Sequence, residues 1–331
     1  MSWINSIDIE SRFKLNDIDL EDPNESKLFK FIEFDPQRAE KTAATGYSYW
    51  KSTFKLFFSK KSSRIVLSFL CLLLLFIIIQ PYLPNQKDPI QIFKEGNAAI
   101  RNAKPNSEFL FGTNAIGQDL WARIWSGTRT TLFIGIVSVT VNAVVGIIIG
   151  AIWGYVRKVD KIFTEIYNVL NNVPTTIVRM LIAYILRPSV STLIFAMCLT
   201  GWLGMAKWIR NLIIIVRDRE YNLASRCLGT PTKRVITKNL LPQLISVILL
   251  DSAISIPDII GSEVFLSYIG LGLPASIPSL GNLINEGRRV MMVPTQTYQI
   301  IFPSIVVAVI TISFYALGNA FSDASDPRNH V

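Results

Sequence analysis

The chain has 331 residues, of which 50% are hydrophobic and only 17% are charged, whereas roughly 25% are charged in soluble domains. This composition indicates an integral membrane protein, and the net charge of +9 is weak evidence for a nucleic-acid partner because membrane chains collect Lys and Arg in cytoplasmic loops. The three cysteines are scattered and the single histidine is His330, which argues against a disulfide framework, a multi-histidine metal site and a histidine-based catalytic triad.

The first 63 residues are predicted to form a cytoplasmic N-terminal extension. Residues 1–40 carry ten acidic side chains against five basic ones, and they have too little apolar content to fold alone. From Tyr47 onward, aromatic residues are interleaved with lysines. This pattern is typical of a segment that enters the membrane from its cytoplasmic side.

Six stretches meet or approach the roughly 20 apolar residues that a helix needs to cross a bilayer. They predict an all-α, polytopic membrane protein with six transmembrane helices at 65–83, 132–153, 162–186, 190–216, 244–269 and 298–321. The implied divisions are a first transmembrane helix (64–84), an extracytoplasmic segment (85–130), a transmembrane core (131–322) and a cytoplasmic tail (323–331).

Two of these stretches contain residues that affect how a helix forms or packs. In the second, Gly135, Gly146 and Gly150 predict close contact with another helix. The third is the weakest, since polar residues and Pro174 interrupt it.

The distribution of Lys and Arg predicts the orientation. Basic residues crowd the ranges 51–64, 157–161 and 217–238, which six spans would place on one side of the membrane. By the positive-inside rule, both termini are expected in the cytoplasm. The predicted outer segment 85–130 also contains six basic residues, but the rule is weak for long loops.

A basic stretch at residues 220–242, EYNLASRCLGTPTKRVITKNLLP, is called the basic loop below. Its first part, from Glu220, has the composition of a short helix, and Gly229 stands where a left-handed residue would end that helix. Thr230 is predicted to be the N-cap of a second helix with Pro231 at its first position. This second helix is expected to stop at Leu241 and Pro242.

Two interpretations of the basic loop follow from its residues alone. A basic amphipathic segment can lie on anionic lipid headgroups. The small side chains of Ala224, Ser225 and Cys227 instead favour a surface that another protein approaches closely.

The basic loop resembles the EAA loop of the inner-membrane subunits of ATP-binding-cassette (ABC) importers. The matching positions are Ala224, Ser225, Gly229, Leu241 and Pro242, and Glu220 matches an acidic residue usual in peptide importers. The sequence departs from the family where Leu223 replaces a Glu and Ser225 replaces an Ala.

Further motifs resemble the oligopeptide and dipeptide permeases of the C type, and the resemblance extends over about residues 65–328. These motifs are FGTNAIGQDLWARIWSGTRTTL (111–132), GWLGMAKWIR (201–210), SYIGLGLPASIPSLGNLINEGR (267–288) and GNAFSDASDPR (318–328). The resemblance implies the type I importer permease fold, with cytoplasmic EAA coupling helices, in the plasma or inner membrane.

The resemblance also implies function and partners. The chain is expected to form the translocation path for oligopeptides without being an enzyme and without binding a cofactor. Expected partners are a homologous second permease subunit, an extracytoplasmic peptide-binding protein, membrane lipid and two ABC ATPase subunits that hold ATP and Mg²⁺. Dipeptides, nickel and metallophores are alternative substrates, because their importers share these motifs.

One motif within the predicted outer segment has the glycine spacing of a phosphate loop. Its candidate residues, called the double-glycine motif, are Gly112, Thr113, Gly117, Asp119 and Arg123. Gln118 and Asp119 follow where Lys and Ser or Thr would stand in an ATP-binding loop. We therefore expect a structural role at the outer mouth, with Asp119 as the N-cap of a short interfacial helix and Arg123 one turn further on.

Polar residues inside predicted spans are costly and thus candidates for function. The candidates for the translocation path are Asp258, Glu263, Arg179, Asn171 and Asn172. For Asp258 and Glu263, contact with a peptide's amino terminus and fixation of helix packing both remain open. Arg179 could meet a carboxylate or reach the outer headgroups.

Two other classes of membrane protein compete with this interpretation. A self-sufficient secondary transporter or channel would suit the intramembrane charges and kinked spans, but no convincing inverted repeat is visible. An intramembrane enzyme is disfavoured because the predicted spans contain no histidine.

Overall fold

The structure is a computed structural model that describes residues 49–325. Residues 1–48 of the predicted extension and residues 326–331 of the predicted tail lie outside the described residues. The α-helices are α1 (Tyr49–Ser59), α2 (Lys61–Ile79), α3 (Leu120–Tyr155), α4 (Arg157–Asn171), α5 (Thr175–Ile185), α6 (Val190–Arg217), α7 (Glu220–Cys227), α8 (Thr232–Arg234), α9 (Leu241–Tyr268), α10 (Leu280–Val290) and α11 (Tyr298–Ser325).

Four short elements lie between these helices within residues 49–325. A 3₁₀ turn, Gln80–Tyr82, extends α2, and a π-helical segment, Val235–Leu240, joins α8 to α9. Between α2 and α3, the two-residue strands β1 (Lys94–Glu95) and β2 (Ala98–Ala99) pair in antiparallel fashion.

Several helices are long and apolar enough to cross a bilayer. Within residues 49–325 there are four: Lys61–Tyr82, Leu120–Tyr155, Val190–Arg217 and Tyr298–Ser325. The number rises to five if the helix pair Thr232–Ile245 and Val247–Tyr268, bent by 58°, counts as one span. The prediction of an all-α, multi-pass membrane protein is confirmed, whereas the count of six transmembrane helices is not.

The predicted third span, 162–186, is not one helix. Helix α4 ends at Asn171, and α5 begins after Pro174, whose backbone is not helical (φ −56°, ψ 118°). Proline has no N–H for a helical hydrogen bond and disfavours helical geometry in the residue before it. Helix α5 has only 11 residues, or about 16 Å at 1.5 Å per residue, which is too short for a 30 Å hydrocarbon core. A transmembrane span at 162–186 is therefore not confirmed, and the interruption visible in the sequence at Pro174 is a complete break between two helices.

Helices α3 and α6 pack closely through small residues. A Cβ atom added to Gly146 would lie 2.6 Å from the Met205 side chain, and one added to Gly150 would lie 2.5 Å from the Ala206 carbonyl oxygen. The predicted close contact is confirmed at both glycines. At Gly135 the added atom would make an ordinary contact of 3.6 Å with Ile260 on α9.

Gly150→Val is expected to force α3 and α6 apart, because the new side chain would meet the α6 backbone rather than a movable side chain. Overpacking of this kind costs about 3 kcal/mol and should lower the thermal unfolding midpoint in detergent by about 5 °C or more. Gly204→Ala is the matched control, since no heavy atom lies within 4 Å of its added Cβ. Equal midpoints for the two variants would contradict this packing.

Buried apolar side chains form three clusters. One lies among α2, α3, α9, α10 and α11, and another lies among α3, α6 and α9. The third joins α3, α6 and α9 to the π-helical segment and is called the basal cluster. Its members are Ala151, Met205, Ile209, Ile213, Val235, Leu240, Leu244 and Ile248.

Candidate functional site

The first half of the basic loop is a short helix with a glycine cap. Helix α7 ends at Cys227, and Gly229 follows with φ +76°. The Thr230 N–H donates to the Ser225 carbonyl (3.1 Å), and the Gly229 N–H donates to the Arg226 carbonyl (3.0 Å). These two bonds form a Schellman motif, in which a left-handed residue satisfies the last carbonyls of a helix. Gly229 therefore has the predicted conformation.

The second half of the basic loop begins one residue later than predicted. Pro231, rather than Thr230, is the N-cap of α8, and its carbonyl accepts from the N–H groups of Arg234 and Val235. Leu241 and Pro242 do not stop a helix, since they begin α9 directly after the π-helical segment. Proline fits there because N–H groups in the first helical turn need no intrahelical acceptor.

Buried contacts fix the basic loop to the transmembrane helices. Asn222 is fully buried, and its amide donates to the carbonyl of Val216, at the end of α6 (2.9 Å). The amide of Asn239 approaches Asn222 Oδ1 and Ser225 Oγ, both at 3.3 Å. Val235 is buried in the basal cluster with other residues of α3, α6 and α9. These contacts attach α7 to the end of α6 and attach the segment after it to α3, α6 and α9.

Asp218 adds an ionic link just before α7. Its carboxylate accepts from Arg157 (3.1 and 3.2 Å) and from Arg217 (3.2 Å), while Arg226 lies 3.9 Å away. Burial would raise the pKa of Asp218, but the hydrogen bonds and charges of Arg217 and Arg157 outweigh it and lower the pKa. Asp218 thus stays ionised and connects the ends of α4, α6 and α7.

The opposite side of α7 is open. Leu223 exposes 43% and Leu228 exposes 86% of its surface, and Ala224 and Cys227 are also exposed. Space around Gly229 is free, because no heavy atom lies within 4 Å of an added Cβ. Exposed leucines beside small residues form a surface that can take a partner at close range.

Asn222→Ala should loosen this attachment without changing the exposed surface of α7. It removes the bond to Val216 and one of the two acceptors of the half-buried Asn239 amide, and the loss of these two hydrogen bonds costs about 1–2 kcal/mol. Amide hydrogen exchange over residues 220–240 should accelerate by about tenfold or more. Thr237→Ala is the control, since its exposed hydroxyl donates to the Lys233 carbonyl within the basic loop itself. Unchanged exchange in Asn222→Ala would show that this bond does not fix the loop.

The double-glycine motif forms a compact turn, in which Gly112 and Gly117 have φ +78° and +90°. The N–H of Gly112 donates to Phe109, that of Thr113 to Ala103, and that of Gly117 to Asn114. The Thr113 hydroxyl donates to the Ile100 carbonyl (2.6 Å). Because these N–H groups already have acceptors, they do not form an open cradle for phosphate.

Asp119 and Arg123 join this turn to α3 and α10. Asp119 is the predicted N-cap and accepts from the Ala122 N–H (3.1 Å), but the helix that it caps is the 36-residue α3 rather than a short one. Arg123 is 1% exposed and donates to Glu286 of α10 (2.7 Å) and to Gln118. Burial raises the pKa of Asp119, an effect that the Ala122 hydrogen bond opposes.

Two cavities, each with several polar groups in a mostly apolar lining, lie among α3, α5, α6, α9 and α11. The first measures about 250 Å³, and its lining includes Asn142, Arg179, Gly204, Asp251, Ser255 and Asp258. The second measures about 370 Å³, and its lining includes Thr176, Arg179, Pro257, Asp258, Ser262 and Tyr315. The structure therefore brings two predicted path residues, Arg179 and Asp258, together at both cavities.

The other predicted path residues line neither cavity. Glu263 is fully buried and accepts from Thr131 (3.1 Å) and Ser267 (2.9 Å). It therefore holds α3 against α9 by hydrogen bonds. Asn171 and Asn172 are exposed at the junction of α4 and α5, where they end a helix.

The residues of these sites that sequence reasoning missed include Asp218, Asn222, Asp251 and Glu286. Asn222 carried a signal, because an Asn within a short predicted helix has low helix propensity and needs a reason to be there. Asp251 interrupts an apolar stretch, which marks it as a candidate by the same rule that selected Asp258. Glu286 carried no such signal, because its partner Arg123 is 163 residues away in sequence, and the link from Asp218 to α4 depends on Arg157, which is 61 residues away.

Residues 144–331 match the family model described as "Binding-protein-dependent transport system inner membrane component". The chain is 39% identical over 306 residues to the oligopeptide transport system permease protein AmiD of Streptococcus pneumoniae, covering 92% of this chain and 98% of AmiD. It is 31% identical to the oligopeptide transport system permease protein OppC of Bacillus subtilis, covering 88% and 93% of the two chains.

A solved structure of the MetNI methionine ABC transporter in inward facing conformations is also similar. The two chains are 18% identical, and the matched region spans 61% of this chain and 96% of the MetNI chain. The TM-score is 0.47. The family assignment rests on the sequence matches, because a similarity at this level gives no reliable correspondence of individual helices.

Proposed function

Because this chain belongs to the family of binding-protein-dependent transport system inner membrane components, we propose that it forms the translocation path for oligopeptides in an ABC importer. The long coverage of AmiD, a relative whose name specifies oligopeptide transport, supports this substrate over nickel or metallophores. Dipeptides are the nearest alternative, since a dipeptide permease of Bacillus subtilis, DppC, is 32% identical.

The basic loop is the proposed site of coupling to the ATPase. The observation that carries this proposal is its two-sided construction: Leu223 and Leu228 are exposed, while Asn222 is buried against the end of α6. A partner that grips the exposed side would move α6 and α9 with the loop. The coupling residues are accordingly Glu220, Leu223, Ala224, Ser225, Gly229, Thr230, Pro231, Leu241 and Pro242.

The energy source and the other subunits belong to the same proposal. ATP and Mg²⁺ are bound by two ATPase subunits, while this chain binds no cofactor and catalyses no reaction. Closure of the ATPases would draw together the basic loops of this chain and a homologous second permease, which shifts the helices from inward-facing to outward-facing. An extracytoplasmic binding protein delivers the peptide, and hydrolysis resets the complex.

The proposed orientation places the basic loop and both termini in the cytoplasm of a cell whose plasma or inner membrane holds the complex. The density of Lys and Arg around the basic loop supports this orientation. The double-glycine motif then lies at the outer mouth, where its bonds to α10 keep the entrance rigid.

Native cysteines allow a direct test of the coupling site. Cys227 is exposed on α7 and Cys71 is exposed on α2. A photoreactive maleimide on Cys227, with Cys71 and Cys198 changed to Ser, should cross-link to an ATPase subunit in the purified complex. The matched control retains Cys71 instead, and it should give no ATPase cross-link. Cross-linking of Cys227 to lipid alone, with no ATPase adduct, would refute the proposal and favour a loop that lies on the membrane surface.

A further inference from the structure

We propose that the first cavity is a binding subsite for the ammonium terminus of a peptide, with Asp251, Asp258 and Asn142 as the groups that receive it. The inference rests on the proposed function and adds which part of the substrate the chain recognises. It also adds two residues, Asp251 and Asn142, that the sequence analysis did not select.

The charges around the cavity favour a cationic group. Asp251 and Asp258 supply two carboxylates, whereas Arg179 supplies one guanidinium, so the cavity carries one negative charge in excess when all three are ionised. An uncompensated charge among membrane-spanning helices is costly. A bound ammonium group would neutralise the excess.

The existing bonds leave Asp251 available. Asp258 already accepts from the Tyr315 hydroxyl (2.7 Å), and Arg179 donates to Ser262 (2.8 Å). Among the described residues, the Asp251 carboxylate makes no hydrogen bond or ion pair. Asp251 is therefore the carboxylate with the most capacity for a ligand.

An independent observation comes from Asn142. This residue is only 8% exposed and lines the cavity, yet its Oδ1 has no hydrogen-bond partner among the described residues. Buried amide oxygens almost always have a donor. A primary ammonium group has three N–H donors, which matches two carboxylates and one amide oxygen.

The size of the cavity limits what enters it. At about 250 Å³ it is smaller than the roughly 300–1,000 Å³ pockets that enclose a drug-sized ligand. It can hold one end of a peptide but not a whole oligopeptide. Recognition of the terminus is suited to import of varied peptides, because every peptide with a free amino end carries this group regardless of its side chains.

The test compares uptake of trialanine and N-acetyl-trialanine by the complete complex in proteoliposomes with ATP inside. The measured quantity is the ratio of the two initial uptake rates. Because every variant is supplied by the same binding protein, the preference of that protein for one peptide affects all ratios equally. Asp251→Asn should lower the ratio of free to acetylated peptide by about tenfold, while Asp251→Glu should retain it. Asp88→Asn is the matched control, because it removes an exposed carboxylate between α2 and α3 and should leave the ratio unchanged.

The outcomes separate the two proposals. An unchanged ratio in Asp251→Asn, with uptake intact, overturns the ammonium subsite and leaves the proposed function standing. Failure of the wild-type complex to take up either peptide refutes the proposed function instead. If Asp251→Asn abolishes all uptake, Asp258→Asn decides by the same ratio, since its amide oxygen can still accept from Tyr315.

Discussion

Replacing Gly229 with valine is expected to abolish ATP-driven uptake while the chain still inserts in the membrane. Gly229 has φ +76° in the cap of α7, and the left-handed conformation costs an ordinary residue about 1–2 kcal/mol, with β-branched residues at the upper end. Valine would disrupt the Schellman motif and add bulk to the surface that we propose meets the ATPase. Uptake rate and membrane content of the variant are measured together.

Asn is the matched substitution at this position, because it adopts the left-handed conformation more readily than other non-glycine residues. Gly229→Asn should therefore retain more uptake than Gly229→Val at equal membrane content. Wild-type uptake by Gly229→Val would show that neither the cap nor the space around it matters for coupling.

Glu286→Ala should give the largest loss of stability. It leaves Arg123, which is 1% exposed, without its carboxylate partner, and breaking a buried ion pair from one side costs about 3 kcal/mol or more. The bond from Asn114 to Glu286 (3.3 Å) would also be lost. We expect a lower thermal unfolding midpoint in detergent.

The double variant Arg123→Met with Glu286→Leu is the control, because replacing both partners with apolar residues removes the buried charge as well as the pair. It should recover most of the loss. If Glu286→Ala and the double variant are equally unstable, shape rather than unpaired charge explains the effect. A midpoint of Glu286→Ala equal to that of the wild type would contradict a structural role for this ion pair.

Patterns of short range predicted the fold class and much of the basic loop. Apolar stretches of membrane-spanning length indicated an all-α membrane protein, and the glycines of α3 indicated close packing. The position of Gly229 after a short helix predicted its left-handed cap. Each of these features can be recognised from residues within a few helical turns of one another, so a single sequence is sufficient to predict it.

Features that depend on tertiary contacts were harder to predict. The role of Glu263 depends on Thr131, which lies 132 residues away in the chain. The partner of Arg123 is likewise 163 residues away. Hydropathy also grouped α4 and α5 into one stretch, and although the sequence shows the interruption at Pro174, it does not show that the helix ends there.

ATP-dependent peptide import by the reconstituted complex tests the central claim most directly. This chain, the second permease, both ATPase subunits and the binding protein would be placed in liposomes, and uptake of labelled trialanine would be followed with and without ATP. We expect uptake only when ATP, the ATPases and this chain are all present. Uptake of trialanine by this chain alone, without ATP, would contradict it and identify a self-sufficient transporter.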